Sequence, residues 1–291
     1  MADVKALPGK TDPKAKGASD KDELAGSEAP LIDHLIELRK RLIRSVIVIF
    51  VLLVACLFVA GPIFNILVEP YRATYLAMFP EQADEFRLIY TAPQEYFFTQ
   101  LSLAFFGAIF LGFPYLAVEV YGFVAPGLYK KERRAFIPYL IATPIFFVLG
   151  GAMVYFAVMP LAMRFFLGMQ TPDIEMLVKV NEYLGLIMTL IIAFGICFQL
   201  PVVLTLLARI DLITVETLKK GRRYAIVGIL VFAAFITPPD PISQIGLALP
   251  MYLLYELSIL SVRYVQKQRA KALAAEGLGP DGLPREDAKA E

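Results

Sequence analysis

The sequence of 291 residues contains no tryptophan, one histidine and two cysteines, and only 19% of its residues are charged. A soluble domain of this length would carry more charge and fewer than the 58% hydrophobic residues found here. Both cysteines, Cys56 and Cys197, lie inside apolar runs, which argues against a disulfide framework and against a metal site. Because tryptophan is absent, an aromatic belt at a membrane surface would have to use tyrosine. These scarcities favour an integral membrane protein over a soluble domain.

The groups that a membrane-embedded enzyme needs are also scarce. His34 is the single histidine and has no nucleophile or second ligand near it in the sequence, and neither a phosphate-binding loop nor a pair of acids deep in the apolar runs is found. We therefore predict a protein that is not an enzyme and uses no cofactor or metal. A small-solute or ion transporter is the alternative class. It would require internal repeats or more polar groups at the membrane midplane, where Gln199 is the one conspicuous candidate.

Six apolar runs predict an all-α, polytopic membrane protein with six transmembrane helices. The predicted spans are Ile43–Gly61, Phe97–Tyr121, Phe136–Pro160, Tyr183–Ala208, Tyr224–Ile236 and Ile245–Val262. The fifth run has about 13 residues, or roughly 20 Å as a helix, against a hydrocarbon core of about 30 Å. Polar composition predicts disordered tails over residues 1–30 and 266–291, on either side of a transmembrane domain over residues 31–265.

Basic residues predict the orientation of these spans. The clusters RKRLIR (39–44), KKERR (130–134) and LKKGRR (218–223), with the segment after the last span, all fall on one side. The opposite loops, 62–95, 161–182 and 237–243, contain few cations. By the positive-inside rule both termini are cytoplasmic, which agrees with an even number of spans.

Two acids lie among the cytoplasmic arginines and lysines: Glu132 in FVAPGLYKKERR and Glu37 in LIDHLIELRKRL. Each has a simple explanation, since Glu132 can offset a helix dipole and Glu37 can pair with Arg41 for about 0.3–0.5 kcal/mol. Alternatively, the two carboxylates bind a partner that carries two guanidinium groups, because arginine stays charged and binds a carboxylate bidentately.

Three further polar residues stand out near the predicted spans. Gln199 precedes Pro201, so its side chain either satisfies the carbonyl that the proline leaves free or faces a partner helix or a transported chain. Asp240 and Gln244 lie at the turn of the last predicted hairpin, where Asp240 can cap the sixth helix.

Several motifs occur in an order that closely resembles the TatC family of the twin-arginine protein translocase. They are HLIELRKRL (34–42), TAPQEYF (91–97), FVAPGLYKKERR (123–134), FQLPV (198–202), ITPPDPISQ (236–244) and LPMYLLYE (249–256). The resemblance extends over about residues 31–263. It implies six helices in a curved, concave bundle, with both termini cytoplasmic and the last two helices short.

The resemblance also implies a function. Members of this family are receptors for the twin-arginine signal peptides of folded cargo in the bacterial inner membrane. They work with TatA- and TatB-type single-span proteins and further TatC copies, use the proton-motive force, and bind no nucleic acid. The residues that match the signal-peptide site are Glu37, Arg39, Phe123 and Glu132. The residues that match a groove or a partner-helix contact are Gln199, Thr237, Pro238, Asp240 and Gln244. Some members carry glutamate where this chain has Gln199, so the resemblance here favours polar contact over proton uptake.

Overall fold

The computed structural model describes residues 14–124, 137–171, 176–210, 212–236 and 241–275, with most side chains described from His34 onward. These ranges contain nine α-helices: α1 Lys14–Phe58, α2 Ala60–Met78, α3 Pro93–Val124, α4 Ile137–Met153, α5 Met159–Leu167, α6 Val180–Cys197, α7 Leu200–Arg209, α8 Val215–Ile236 and α9 Pro241–Ala275. A short 3₁₀-helix covers Pro80–Glu85, and a π-helical turn, Val154–Val158, joins α4 to α5. The all-α prediction is confirmed.

The chain divides into two compact units, Met1–Val48 and Ile49–Glu291, and the boundary falls inside α1. The first unit is the N-terminal part of this helix, which begins at Lys14, within the stretch that the composition predicts to be a disordered tail. At the other end of the chain, α9 continues to Ala275. The division into two tails and a domain at residues 30 and 265 stays a prediction.

Five helical stretches among the described residues are long and apolar enough to cross a membrane. They are His34–Phe58, Pro93–Phe123, Pro138–Leu167, Val180–Arg209 and Gln244–Lys271. Each contains one of the predicted spans or most of it. The remaining predicted span forms the second half of α8, whose first half carries LKKGRR. Because that charge leaves only a short apolar segment, α8 does not have the composition of a full span, and the count of six stays a prediction.

The second unit is built around α6. The stretch Val180–Arg209 has 61% of its most apolar window buried, against 33% for Pro93–Phe123 and for Pro138–Leu167. Leu184 and Ile187 of α6 are completely buried, and they belong to one apolar core with Leu103 of α3 and Met159 of α5. Helix α6 therefore buries most of its surface against other helices, while one side with Thr189 and Ile196 stays exposed.

The proline in FQLPV divides the fourth predicted span into α6 and α7. Pro201 has no N–H to donate to the turn before it. The chain tightens there, and the Gln199 N–H donates to the Ile196 carbonyl at 2.9 Å, three residues back. The helix then resumes at Leu200, so the polar side chain of Gln199 lies at the junction between the two helices.

The first predicted outer loop, residues 62–95, contains a helix that its sequence did not indicate. Helix α2 buries Leu67, Val68, Tyr71 and Tyr75 on one face. Pro62 lies in the first turn of α2, where its missing N–H would have had no partner in the helix. Two prolines lie within nine residues of α2, and only Pro70 removes an internal hydrogen bond.

The segments that follow α2 and precede α6 are joined at the predicted outer end of the helices. Ile89 N–H donates to the Val178 carbonyl at 3.1 Å, and Val180 N–H donates to the Ile89 carbonyl at 2.9 Å. Tyr183 of α6 donates its hydroxyl to the Leu67 carbonyl of α2 at 2.9 Å. These bonds hold the outer segments as one packed layer.

Aromatic rings fill this layer. The ring of Tyr71 lies 5.1 Å from that of Phe86 and 5.3 Å from that of Tyr183, between ring centroids. Burial, with a smaller effect from Tyr75, raises the pKa of Tyr71 to about 12, which agrees with an apolar environment around its hydroxyl. The layer is therefore a small apolar core of its own rather than a pair of free loops.

Candidate functional site

The structure describes three of the four residues of the candidate signal-peptide site, and Glu132 lies outside the described ranges. Glu37 and Arg39 are in α1, within the first unit, and Arg39 is exposed. Phe123 is in the last turn of α3, in the second unit, and its side chain is half-buried. Their joint role in one site stays a prediction.

Glu37 is held by its neighbour one turn along α1. Arg41 donates from Nη2 at 2.7 Å and from Nε at 3.0 Å, and both hydrogen bonds end on the Oε1 atom of Glu37. The Glu37 side chain stays 35% exposed, and its Oε2 atom accepts no hydrogen bond from any described residue. One carboxylate oxygen is thus occupied by a guanidinium, on a side chain that keeps about a third of its surface exposed.

Gln199 connects α6 to α4. Its Nε2 atom donates to the Thr143 carbonyl at 3.0 Å and, more weakly, to the Gly195 carbonyl at 3.4 Å. The carbonyl that Pro201 leaves free, four residues back, belongs to Cys197, so the amide does not satisfy that group. Thr143 also contacts α3, since its Oγ1 lies 3.0 Å from the hydroxyl of Tyr121. Gln199 therefore closes a polar chain that links three helices.

The side-chain oxygen of Gln199 differs from the nitrogen in its hydrogen bonding. Its Oε1 atom is buried and has no hydrogen-bond partner among the described residues. A buried acceptor without a partner costs about 1–3 kcal/mol, so this oxygen is a position at which a donor from a partner would be stabilising.

Replacing Gln199 by glutamate is expected to destabilise the protein by about 1–3 kcal/mol at neutral pH. The carboxylate would face the Thr143 and Gly195 carbonyls, which accept hydrogen bonds and offer it none. The test is thermal unfolding followed with a thiol-reactive dye, because Cys56 and Cys197 are both buried and react only after opening. Gln199→Leu is the control, because it removes the hydrogen bonds of the amide without adding a charge. Unfolding of Gln199→Glu at or above the wild-type temperature would contradict the placement of the side chain beside these two carbonyls.

Gln244 lies in the first turn of α9 and bonds back to α8. Its Nε2 atom donates to the Leu230 carbonyl at 3.1 Å, which joins the last two helices close to their connecting turn. Thr237, Pro238 and Asp240 lie outside the described ranges. Gln244 is thus placed between α8 and α9, and its contact with a partner helix stays a prediction.

An apolar groove of about 820 Å³ lies in the second unit beside the same region. Its walls come from α3, α6, α8 and the end of α1, and they include Phe105, Ile192, Phe232 and Phe235. The side chain of Phe235 is 92% exposed. Its lining is almost entirely apolar, with Ser102 and Thr189 as the polar exceptions.

Two further acids lie inside predicted spans, and the sequence analysis overlooked the first of them. Glu119 of α3 is only 7% exposed and accepts a hydrogen bond at 2.8 Å from the hydroxyl of Tyr115. Its signal was visible, because a carboxyl between two valines inside a predicted span is costly without a partner. Glu256 of α9 pairs with Arg222 of α8 at 2.7 Å, while Tyr252 donates to its other oxygen at 3.0 Å.

The pair between Arg222 and Glu256 changes the interpretation of the basic cluster LKKGRR. One of its cations, Arg222, is engaged in a partly buried pair that holds α8 against α9. Nearby, Tyr255 donates its hydroxyl to the Leu218 carbonyl at 2.7 Å. This part of the predicted cytoplasmic surface is therefore a structural clamp between two helices, with Lys219 and Lys220 left exposed.

Within the described ranges no group of three or more histidine, cysteine, aspartate or glutamate side chains could hold a metal ion. The arrangement of long apolar helices with charged helix ends defines a helical, multi-pass membrane protein. Residues 33–250 match the family model of the Sec-independent protein translocase protein (TatC). The chain belongs to this family, which consists of protein translocase components rather than enzymes.

Curated relatives and a solved structure agree with this assignment. The chain is 44% identical over 249 residues to the Sec-independent protein translocase protein TatC of Magnetococcus marinus, covering 86% of this chain and 89% of the relative. It is 40% identical over 242 residues to the TatC of Desulforapulum autotrophicum, covering 83% and 87%. A crystal structure of the twin arginine translocase receptor TatC superposes with a TM-score of 0.70 at 35% identity, covering 80% of this chain and 99% of that one.

Proposed function

We propose that this protein is the receptor subunit of a twin-arginine translocase and binds the paired arginines of signal peptides on folded cargo. The observation that carries this proposal is the similarity to a twin arginine translocase receptor over 99% of that chain. The residues proposed to bind the peptide are Glu37, Arg39, Phe123 and Glu132. The two acids would accept the guanidinium groups of the peptide, and Phe123 would provide apolar contact.

The geometry of Glu37 supports a role in binding arginine. Its Oε1 atom already accepts two hydrogen bonds from a guanidinium, that of Arg41, and Oε2 accepts none from the described residues. An incoming arginine can either bond Oε2 or replace Arg41, and the replacement exchanges one guanidinium for another without leaving the carboxylate unpaired. Because a pair at this spacing stabilises a helix by only about 0.2–0.5 kcal/mol, and both side chains keep some contact with water, Arg41 is a weak competitor.

The remaining proposals concern location and partners. We propose that the protein lies in the bacterial inner membrane with both termini in the cytoplasm and takes part in export driven by the proton-motive force. TatA- and TatB-type single-span proteins, or further copies of this chain, are proposed to contact α8. This helix exposes Val227, Val231 and Phe235 at a spacing of four residues, so a continuous apolar stripe faces outward.

The receptor function is tested with the full-length protein in a lipid bilayer and a fluorescent twin-arginine signal peptide. A peptide with both arginines replaced by lysine is expected to bind about tenfold more weakly, because lysine carries the same charge but cannot form the bidentate pair. A scrambled peptide of the same composition is the control for general attraction to the basic and acidic surface. Equal binding of all three peptides would contradict the receptor function.

A further inference from the structure

A cavity of about 510 Å³ at the predicted outer end of the second unit has no part in the proposed receptor site. It lies between α2, the extended segment that follows the 3₁₀-helix, the first turn of α3 and the start of α6. Its floor contains Val68 and Val180, which are 7% and 6% exposed. Tyr90 and Tyr96 lie at its rim, with ring centroids 6.5 Å apart.

One wall of the cavity carries both signs of charge. Asn65, Glu69 and Arg72 of α2 all line it, and their spacing of four and three residues places them on one face of the helix. All three side chains are exposed, and none of the ion pairs between described residues involves Glu69 or Arg72. The wall therefore presents an anion, a cation and an amide to whatever occupies the cavity.

The floor of the cavity is rigid. Phe86 lines the cavity and packs on its other side against Tyr71, while the hydroxyl bond from Tyr183 to the Leu67 carbonyl ties α6 to the buried face of α2. The backbone bridge at Ile89 fixes the extended segment that carries Leu88 and Tyr90. A site held in this way loses little conformational freedom when a ligand binds.

The position of the cavity indicates a lipid. Tyr96 at its rim lies at the start of Pro93–Phe123, a stretch long and apolar enough to cross a membrane, so the cavity lies at the level where that span ends. The next residue of α3, Phe97, is 66% exposed. A molecule with a charged head in the cavity has this exposed ring beside it for its hydrocarbon chains.

We propose that this cavity binds the headgroup of a zwitterionic glycerophospholipid with a primary ammonium, of the phosphatidylethanolamine class. Arg72 binds the phosphate through its guanidinium. Glu69 and the side-chain carbonyl of Asn65 accept hydrogen bonds from the ammonium, which a trimethylammonium headgroup could not donate. An anionic headgroup without an ammonium would place its charge beside Glu69 with no donor for that carboxylate.

The test is native mass spectrometry of the full-length protein released from bilayers of equal phosphatidylethanolamine, phosphatidylglycerol and phosphatidylcholine. Wild type is expected to retain phosphatidylethanolamine over the other two lipids. Glu69→Gln is expected to lower the retention of phosphatidylethanolamine about tenfold, because the substitution removes the partner of the ammonium. The retention of phosphatidylglycerol, which has no ammonium, is expected to stay unchanged. Arg72→Gln is expected to lower the retention of all three lipids, since each has a phosphate.

Two matched variants control for general changes of charge. Arg87→Gln and Glu81→Gln remove the same charges from exposed side chains of the same outer segment that do not line the cavity. Equal retention of the three lipids by wild type would overturn the proposal. It would also be overturned if the two control variants lost as much phosphatidylethanolamine as Glu69→Gln and Arg72→Gln do. Binding of twin-arginine peptide is expected to be unchanged in Glu69→Gln, so failure of this proposal is distinguishable from failure of the receptor function.

Discussion

A Gly150→Leu variant is expected to lose roughly 3 kcal/mol of stability or to fail to accumulate in the membrane. At Gly150 a Cβ atom would lie 2.7 Å from the carbonyl oxygen of Phe194 and 2.9 Å from the backbone nitrogen of Gly195. These atoms belong to the backbone of α6, so they cannot turn aside as a flexible side chain would. The measurement is the temperature at which the buried thiols of Cys56 and Cys197 become reactive.

Gly228→Leu is the matched control. It makes the same substitution inside α8, where a Cβ atom meets nothing within 4 Å. Because glycine inside a helix costs up to about 1 kcal/mol relative to alanine, this variant is expected to unfold at or slightly above the wild-type temperature. Equal shifts of the unfolding temperature in the two variants would show that the backbones of α4 and α6 are not in contact at this crossing. The packing around α6 described above would then be wrong.

The positions of the apolar spans could be predicted from the sequence because hydropathy reports directly on burial in lipid or in protein. Helix α2 could not, since its apolar face is buried against other segments while the sequence shows two prolines and several polar residues. The same holds for α5, which the sequence analysis assigned partly to an outer loop. Amphipathic helices beside a bundle depend on what they pack against, and that information lies elsewhere in the chain.

Side-chain pairs between distant segments were the least predictable features of the candidate sites. The pair between Glu37 and Arg41 follows from their spacing of four residues on a helix. The bond from Gln199 to Thr143 and the pair between Arg222 and Glu256 join residues 56 and 34 positions apart, respectively. Spacing along the sequence does not predict pairs over such distances. Polar residues in apolar runs show that a partner is required, but only the packing of the helices identifies the partner.

Replacing Glu37 or Glu132 by alanine is expected to weaken binding of a twin-arginine signal peptide by roughly tenfold to a hundredfold. In the proposed site, each substitution would leave a guanidinium of the bound peptide without its carboxylate. Glu37 is 35% exposed, so water compensates part of the loss there and the lower end of the range applies. The measurement is the dissociation constant of a fluorescent peptide for the full-length protein in bilayers of fixed lipid composition.

The double variant separates one joint site from two independent ones. If both carboxylates bind the same peptide, Glu37→Ala should matter less once Glu132 is already alanine, because a peptide anchored by neither acid has little left to lose. Glu216→Ala, which removes an exposed acid from the first turn of α8, is the control and is expected to bind as wild type does. Wild-type affinity in both single variants would show that neither acid binds the peptide. The pair with Arg41 would then account for Glu37 within α1, and the peptide site would have to be sought elsewhere on the predicted cytoplasmic surface.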